Sequence, residues 1–306
     1  MNEPFTPAYL SLLRSGELAK RVRRAFEHME RCDLCANYCR VNRLQGIRGA
    51  RCRTGRRAMV ASLGPHFGEE RVLVGRHGSG TIFLSHCNLH CVFCQNWDIS
   101  QMDRGQEVSA AELAAMMLEL QKLGCHNINL VSPSHVVAPI LAALVLAARH
   151  SLRLPLVYNS GGYDSPEALA LLDGVIDIYM PDMKYADSEV AQRFSKVTDY
   201  AEVNQAAVLE MHRQVGDLAL DSRGIARRGL LIRHLVLPDN LAGSDIILPF
   251  IAERLSRNTY LNIMDQYRPC YRADRYPPLN RRPTRTEYQR VLQWAAAAGL
   301  ERLDRY

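Results

Sequence analysis

The chain of 306 residues is long enough to bury a large core, and 47% hydrophobic against 23% charged residues excludes a disordered or fibrous protein. No basic segment followed by an apolar stretch opens it, and its longest nearly apolar run, Val136 to Ala148, is too short to span a bilayer and contains Pro139, so a cytoplasmic location without membrane contact is expected. A net charge of +6 is modest for a dedicated nucleic-acid binder, while nine cysteines without an export signal argue for metal or redox chemistry over disulfides.

Residues 1–75 read as a small N-terminal metal-binding module. A basic amphipathic helix over Glu17 to Arg31 leads into Cys32, Cys35, Cys39 and Cys52, whose spacing C-x2-C-x3-C-x12-C brings four thiolates to one centre. The charged outer face of that helix is a solvated scaffold face rather than a binding arm. Modules this short often rely on a metal because they bury little apolar surface. Four thiolates satisfy structural zinc and a [4Fe–4S] cluster equally, and the ligand set alone leaves both open. Gly46, Gly49 and Gly55 supply tight turns around Cys52, and Gly75, Gly78 and Gly80 mark a joint.

From there to residue 266, short β-branched or apolar runs alternate with longer helical patterns, the sign of βαβ units and a parallel sheet. Strands are expected near 80–85, 126–131, 154–158, 175–181, 229–236 and 259–264, and helices over 109–123, 135–149, 165–173, 187–215 (broken) and 243–256. Six strands are too few for a closed eight-strand barrel, and a partial, TIM-like (β/α)6 barrel fits. In parallel α/β folds the working groups gather at the carboxyl ends of the strands. Directly after the first strand comes Cys87-Asn88-Leu89-His90-Cys91-Val92-Phe93-Cys94. Three thiolates on a [4Fe–4S] cluster leave one iron open to a chelating small molecule. Zinc fits such a tight triplet poorly, since His86 or His90 would have to strain within the same loop to become a fourth ligand. Cys125 and Cys270 are lone and read as buried thiols. Residues 267–306 read as a Pro- and Arg-rich loop ending in a helix near 284–298. Arginines 268, 272, 275, 281, 282 and 285, interleaved with Tyr271 and Tyr276, would suit an RNA backbone or an acidic peptide, but a solvated loop is the favoured reading.

The CxxxCxxC run with Phe93 before its last cysteine resembles the signature of the radical S-adenosylmethionine (SAM) superfamily. The stretch from Gly78 to Leu84 that leads into it, with Val41-Asn42-Arg43 and Gly49-Ala50-Arg51-Cys52 upstream, is similar to the subgroup likened to pyruvate formate-lyase activating enzymes. Glycyl-radical activases with an extra ferredoxin-like insert carry it after the triplet, whereas here the additional cysteines precede it. The resemblance implies the partial barrel, a [4Fe–4S] cluster on Cys87, Cys91 and Cys94, and SAM on its open iron. Phe93 would lie near the adenine and Asn96 would touch the nucleoside. Where many members carry a Gly-Gly-Glu segment, this chain has Ser132-Pro133-Ser134-His135, so Ser132, Ser134 or His135 would supply the polar contacts; Ser134 as a helix N-cap is the plain alternative. Asn159 and Ser160, before Gly161-Gly162, would meet SAM, or else form an ordinary turn. Asp182 and Lys184 resemble the activase Asp-x-Lys segment that approaches SAM and substrate, with a structural ion pair as the alternative. Arg233, His234 and Gln266 are further candidates that orient neighbours.

The activity so implied is reductive SAM cleavage to a 5′-deoxyadenosyl radical that abstracts hydrogen, with flavodoxin or ferredoxin as electron donor and a protein substrate, including glycyl-radical activation. Radical modification of RNA or of a small metabolite is the alternative, nucleic acid being the less favoured. A non-catalytic zinc protein is the reading from a different class.

Overall fold

The computed structural model describes residues 5–304, so residues 1–4 and 305–306 of the two terminal regions lie outside it. The first half runs α1 (Tyr9–Arg14), α2 (Glu17–Glu30), β1 (Ala58–His66), α3 (Arg71–Val74), β2 (Ser79–Leu84), α4 (Trp97–Ser100), β3 (Gln106–Val108), α5 (Ala110–Lys122), β4 (Ile128–Val131), α6 (Val137–Arg149), β5 (Leu156–Ser160), α7 (Pro166–Leu172) and β6 (Ile178–Pro181). There follow α8 (Ser188–Ser195), α9 (Tyr200–Val215), β7 (Ala219–Leu220), β8 (Ala226–Leu235), α10 (Ser244–Phe250), β9 (Tyr260–Met264) and α11 (Arg285–Ala297).

Strands β2, β4, β5, β6, β8 and β9 are parallel neighbours in that order, an open partial barrel of six strands. Each matches an expected strand, with ends shifted by a few residues. The crossover helices start on local chemistry. Ser109 and Glu112 close a capping box on α5, and the Ser165 hydroxyl caps α7 ahead of Pro166. The break expected within 187–215 falls at Lys196, whose φ of 64° is left-handed and ends α8. The helix expected over 243–256 is interrupted at Pro249, which has no N–H to give, and Ile251–Leu255 continues as a wider π turn.

Two strands on the far side of β2 are new. β1 pairs antiparallel with β2, and β3 pairs with the first part of β1. Gly64-Pro65 inside β1 reads as a breaker in the sequence. β3, however, reaches only Ala58 to Val60, so at Pro65 that edge of β1 faces no strand, and β1 is an edge strand there, where proline is tolerated. Through β1 the stretch up to residue 75 joins the main sheet, and α2 packs Leu18, Ala25 and Met29 into the same core as Leu130 and Tyr158 on the outer face of the barrel. The structure therefore does not set that stretch apart with a core of its own.

The glycine-rich joint holds a second device. Between Glu70 and Gly75 the single turn α3 inserts Val72 and Leu73 into the lower barrel, against Val157, Ile178 and Leu231. This plug seals the end of the barrel opposite the cysteine loop, so the lumen opens on the carboxyl side.

Two buried side chains lock elements together. Asp177, just before β6, accepts hydrogen bonds from the Ala8 N–H at 2.8 Å and the Leu156 N–H at 3.0 Å, tying the chain start to the base of β5. His234 on β8 faces away from the cleft. Its Nδ1 donates to the Met183 carbonyl at 2.8 Å and its Nε2 accepts from the Ser244 hydroxyl at 2.8 Å, joining β6, β8 and α10. Burial lowers the His234 imidazole to about 4.

Asp177→Ala removes the acceptor of both N–H groups and is expected to lower unfolding free energy by about 3 kcal/mol in urea titrations, with faster hydrogen exchange in α1. His234 is neutral in the fold while its unfolded counterpart takes up a proton below about pH 6.5, so its contribution is complete above that pH and declines as pH falls towards 4. Stability measured at stepped pH should fall over this window by up to about 3 kcal/mol more in the parent chain than in His234→Gln.

Candidate active site

The carboxyl ends of the parallel strands surround one cleft. Leu84 of β2, Val131 of β4, Asn159 and Ser160 of β5, Arg233 and Leu235 of β8 and Met264 of β9 line it, with Asp182 directly after β6. The loop after β2 places Cys87, Cys91 and Cys94 in the same cleft. Both histidines of that loop are held elsewhere. His86 is clamped between the Thr54 hydroxyl and Asp103, each at 2.9 Å, and His90 Nε2 lies 3.2 Å from the Arg51 carbonyl. They are not placed to complete a zinc site with the triplet.

Each thiol of the triplet has a hydrogen-bonding neighbour of its own. The Leu89 N–H points at Cys87 Sγ at 3.4 Å, Ser195 Oγ lies 3.0 Å from Cys91 Sγ, and Ser100 Oγ lies 3.1 Å from Cys94 Sγ. Bonds of this kind to sulfur tune cluster potentials. Burial pushes the Cys87 thiol up to about 12 and, helped by the neighbouring Cys91, the Cys94 thiol up to about 11. Three thiolates become tolerable in this cavity only when a cation shares their charge. Three thiols that line one cleft, each with its own hydrogen-bonding neighbour, are the donor set of a [4Fe–4S] centre with one iron left open, so the residues fit that group.

The expected SAM contacts divide into two groups. Phe93, Asn96, Ser132, Asn159 and Ser160 line the cleft. The Phe93 ring is fixed edge-on by Tyr267, centroids 5.7 Å apart, and by Tyr185. Ser132 holds a left-handed φ of 60°. The Ser160 hydroxyl is engaged with Asp164 at 2.7 Å and accepts the Gly162 N–H, so it also builds the turn. Ser134 and His135, in contrast, lie outside the cleft. The turn after Ser132 carries them under the rim, where both are about 1% exposed. His135 Nε2 is 3.0 Å from the Ser85 carbonyl, and burial lowers its imidazole to about 3, followed by the repulsion of Arg43. Nor does Ser134 cap a helix, because α6 begins after Val136 with no side-chain cap.

Asp182 is the centre of a buried ion trio. Its Oδ2 lies 2.5 Å from Lys184 Nζ, and its Oδ1 accepts from Arg233 Nε at 2.8 Å. Burial alone would raise this carboxyl, but Arg233 and then Lys184 outweigh it and hold Asp182 below the usual carboxylate range. The same attraction outweighs burial at Lys184 and keeps it charged. The ion pair is thus present, but it faces the cleft instead of the surface, and Arg233 is a full partner.

Two rim residues carry no signal of their own in the sequence. Tyr200 and Asn204, one turn apart on α9, pin the loops after β5 and β6 to each other. The Asn204 amide donates to the Gly162 and Asp182 carbonyls at 2.9 Å each. The Tyr200 hydroxyl lies 2.8 Å from the Gly161 carbonyl and accepts the Lys184 N–H at 3.1 Å. A Cβ on Gly162, whose φ is 71°, would overlap the Asn204 amide and the Asp182 carbonyl, which explains the glycine. Only their spacing, two polar residues on a helix face otherwise made of Ala207, Val208 and Met211, hints at the role. The C-terminal segment completes the rim. Tyr267 packs on Phe93, the Arg272 N–H donates to the Val92 carbonyl, Gln266 lines the cleft, and Trp97 stacks on Tyr271 at 5.5 Å. Arg272 lies over the Tyr271 ring, and Arg281 is paired with Asp239 and Glu287.

The second cysteine group sits beside this loop. Cys32, Cys35 and Cys52 are buried and Cys39 is half-buried. Their thiols lie within electrostatic reach of one another. Asn37 Nδ2 donates to the Asn88 carbonyl at 2.7 Å, linking the two cysteine loops directly.

Removing one member of the trio should test its coupling. Asp182→Ala leaves the half-buried Lys184 without an anion and Arg233 with only the Glu69 carboxylate at 4.0 Å, and is expected to cost about 3 kcal/mol of stability. Lys184→Met leaves Asp182 paired with Arg233, so its loss in the same denaturant titration should be clearly smaller.

The sequence model described as "Radical SAM superfamily" matches residues 81–221, from β2 to the turn after β7. The uncharacterized protein MJ0674 of Methanocaldococcus jannaschii is 34% identical over 294 residues, spanning 93% of this chain and 78% of its own length. Among solved structures, the radical SAM methyltransferase TsrM from Kitasatospora setae, with cobalamin and a [4Fe–4S] cluster bound, aligns at a TM-score of 0.44 and 17% identity, over 61% of this chain and only 36% of its own. A radical SAM methyltransferase from Sphaerobacter thermophilus aligns at a TM-score of 0.43 and 12% identity, over 72% of this chain and 64% of its own, and TYW1 with a lysine–pyruvate adduct bound gives the same score and identity over 71% of this chain and 73% of its own. With a 34%-identical relative aligned over 93% of this chain and the superfamily's own pattern lying on the strands that carry the cysteine loop, this chain belongs to the radical SAM superfamily.

Proposed function

We propose that the chain is a radical SAM enzyme that cleaves SAM reductively and abstracts hydrogen from a polypeptide held at the open mouth of the barrel. The observation that carries this reading is the convergence of Cys87, Cys91 and Cys94 with Asn96, Ser132, Asn159, Asp182 and Lys184 in one cleft. Cys87, Cys91 and Cys94 would hold the cluster and leave one iron for SAM. Bound there, the cluster supplies the electron that splits SAM into methionine and a 5′-deoxyadenosyl radical, the hydrogen-abstracting species.

The residues of the chain bind, orient and shield. Asn96, Ser132 and Asn159 offer amide and hydroxyl groups from three different loops, which fixes the orientation of a polar ligand. The Lys184 ammonium is directed by Asp182 and is suited to the carboxylate of an amino-acid ligand. Phe93, Tyr185 and Tyr267 form an apolar wall beside the cysteine loop that keeps water from the reacting groups. Flavodoxin or ferredoxin is the proposed electron donor, an acidic carrier attracted by the net charge of +6.

A polypeptide is favoured over RNA on two grounds. The sheet ends at β9 without closing on β3, and the side of the mouth between them is bordered by the C-terminal loop segment in place of a strand, which suits an extended polypeptide. The C-terminal arginines are partly engaged within the protein, Arg281 by two carboxylates. Glycyl-radical activation is one form of this reading, and a small metabolite is its alternative.

Anaerobic reconstitution should give an iron–sulfur protein whose reduced electron paramagnetic resonance spectrum changes on adding SAM, and which forms 5′-deoxyadenosine with dithionite. Cys91→Ala should abolish that product while the circular dichroism spectrum is kept; undiminished product would refute the assignment. Lys184→Met should weaken SAM binding at least ~10-fold, the loss of one charge-assisted hydrogen bond. An extract of the source cells should stimulate 5′-deoxyadenosine formation, and protease but not ribonuclease treatment should remove the stimulation. The opposite sensitivity would replace the polypeptide with RNA.

A further inference from the structure

Among the described residues Arg43 has no carboxylate within ion-pair distance. Its side chain is 1% exposed, and a guanidinium remains protonated at any physiological pH. Nε donates to the Thr54 carbonyl at 2.7 Å, and Nη2 to the His135 carbonyl at 2.7 Å and the Gly55 carbonyl at 3.4 Å. Nη1 points at Cys32 Sγ at 3.4 Å. Carbonyl oxygens satisfy its hydrogen bonds but bring no net negative charge. Among the described residues its electrostatic partners are Cys52, Cys32 and Cys35. A buried cation held this way requires an anion, and the four-cysteine group is what the structure places beside it.

Neutral thiols would not meet that need. Thiolates would, and thiolates packed this closely persist on a metal. The backbone around them is shaped accordingly. Tyr38, Arg40 and Arg53 adopt left-handed φ of 43°, 56° and 51°, all within or beside the cysteine run, and none is glycine. Gly49, at φ 81°, lies against the Val41 side chain. The chain is bent around the sulfurs at repeated conformational cost.

The choice between one ion and a cluster follows from position. The four cysteines lie against the loop of the triplet, Asn37 donating to the Asn88 carbonyl at 2.7 Å and His90 Nε2 lying 3.2 Å from the Arg51 carbonyl. Zinc has no redox chemistry to offer beside a centre that must be reduced, whereas a second iron–sulfur cluster can pass it an electron. We propose that Cys32, Cys35, Cys39 and Cys52 hold a second [4Fe–4S] centre, with Arg43 as its buried counter-cation. All four irons of such a centre have protein ligands, so it carries an electron and does not bind SAM.

The test uses the full chain with Cys87, Cys91 and Cys94 all changed to Ala, so that failure of the catalytic assignment cannot disturb it. After anaerobic reconstitution this variant should retain about four irons and four sulfides per chain. About one zinc and no iron, or no metal, would overturn the proposal. On the same background Arg43→Gln should move the midpoint potential of the centre to a more negative value in an electron paramagnetic resonance titration, because reduction adds negative charge beside a missing cation. Arg43→Lys should restore most of the shift. Equal potentials in all three proteins, or loss of the iron from Arg43→Lys as well as Arg43→Gln, would refute Arg43 as counter-cation.

Discussion

Charge withdrawn from water is the constraint on which this architecture rests. The cleft gathers three thiols, a carboxylate, an ammonium and a guanidinium in a space closed below by α3, and each charge needs a partner within reach. Asp182 meets this by lying between Lys184 and Arg233, one from the loop after β6 and one from β8. The parallel register makes the contact available, because Asp182 bridges to Arg233 in the backbone as well. The same constraint acts at Arg43, where carbonyls fix the guanidinium while neighbouring sulfurs supply its electrostatic balance. A barrel that presents strand ends side by side is well suited to such pairings, since each strand brings one charged group to a shared rim.

Position matters as much as charge, and the rim is held by residues behind it. Tyr200 and Asn204 bond only to backbone atoms and to the loops flanking Asp182, so they set where the trio sits without touching the cleft's contents. Ser195 couples the two halves of the site, since its hydroxyl meets both Cys91 Sγ and the Tyr185 hydroxyl at 2.8 Å. The C-terminal segment adds a cover through Tyr267 and the Arg272 N–H. These are supporting contacts of the kind that hold reacting groups to a fraction of an ångström, and they come from α8, α9 and the tail, remote in sequence from the cysteine loop.

The parallel strands were legible because they are buried on both faces and read as short apolar runs between helical patterns. The cysteine triplet was legible as spacing. β1 was not, since Gly64-Pro65 carries the composition of a turn and only the shortness of β3 makes it tolerable in a strand. Ser134 and His135 follow β4, where the sequence points to the cofactor, yet the left-handed φ of Ser132 turns the chain away at that point, a backbone event with no marker in a serine. Arg233 is a full partner of Asp182, but a lone arginine in a strand shows neither its partner nor its burial. Tyr200 and Asn204 carry no signal because their partners are carbonyls, which every residue has.

The floor of the cleft differs from the filled lumen of a closed eight-strand barrel, where inward side chains pack in layers. The lowest layer here is packed, with Val72 and Leu73 of α3 on Val157, Ile178 and Leu231. Side chains alternate along a strand, so Asn129 and Asn262, two residues before Val131 and Met264 of the cleft, point into the same lumen one step lower. Glu70 accepts from the Asn262 amide at 2.9 Å. Its second oxygen, the Asn262 oxygen and both amide atoms of Asn129 have no hydrogen-bond partner among the described residues. Four unpaired buried polar atoms in one layer cost too much to persist dry. Proteins complete such groups with ordered water or with the atoms of a ligand. The six-strand barrel thus keeps a polar layer between its apolar plug and its charged rim.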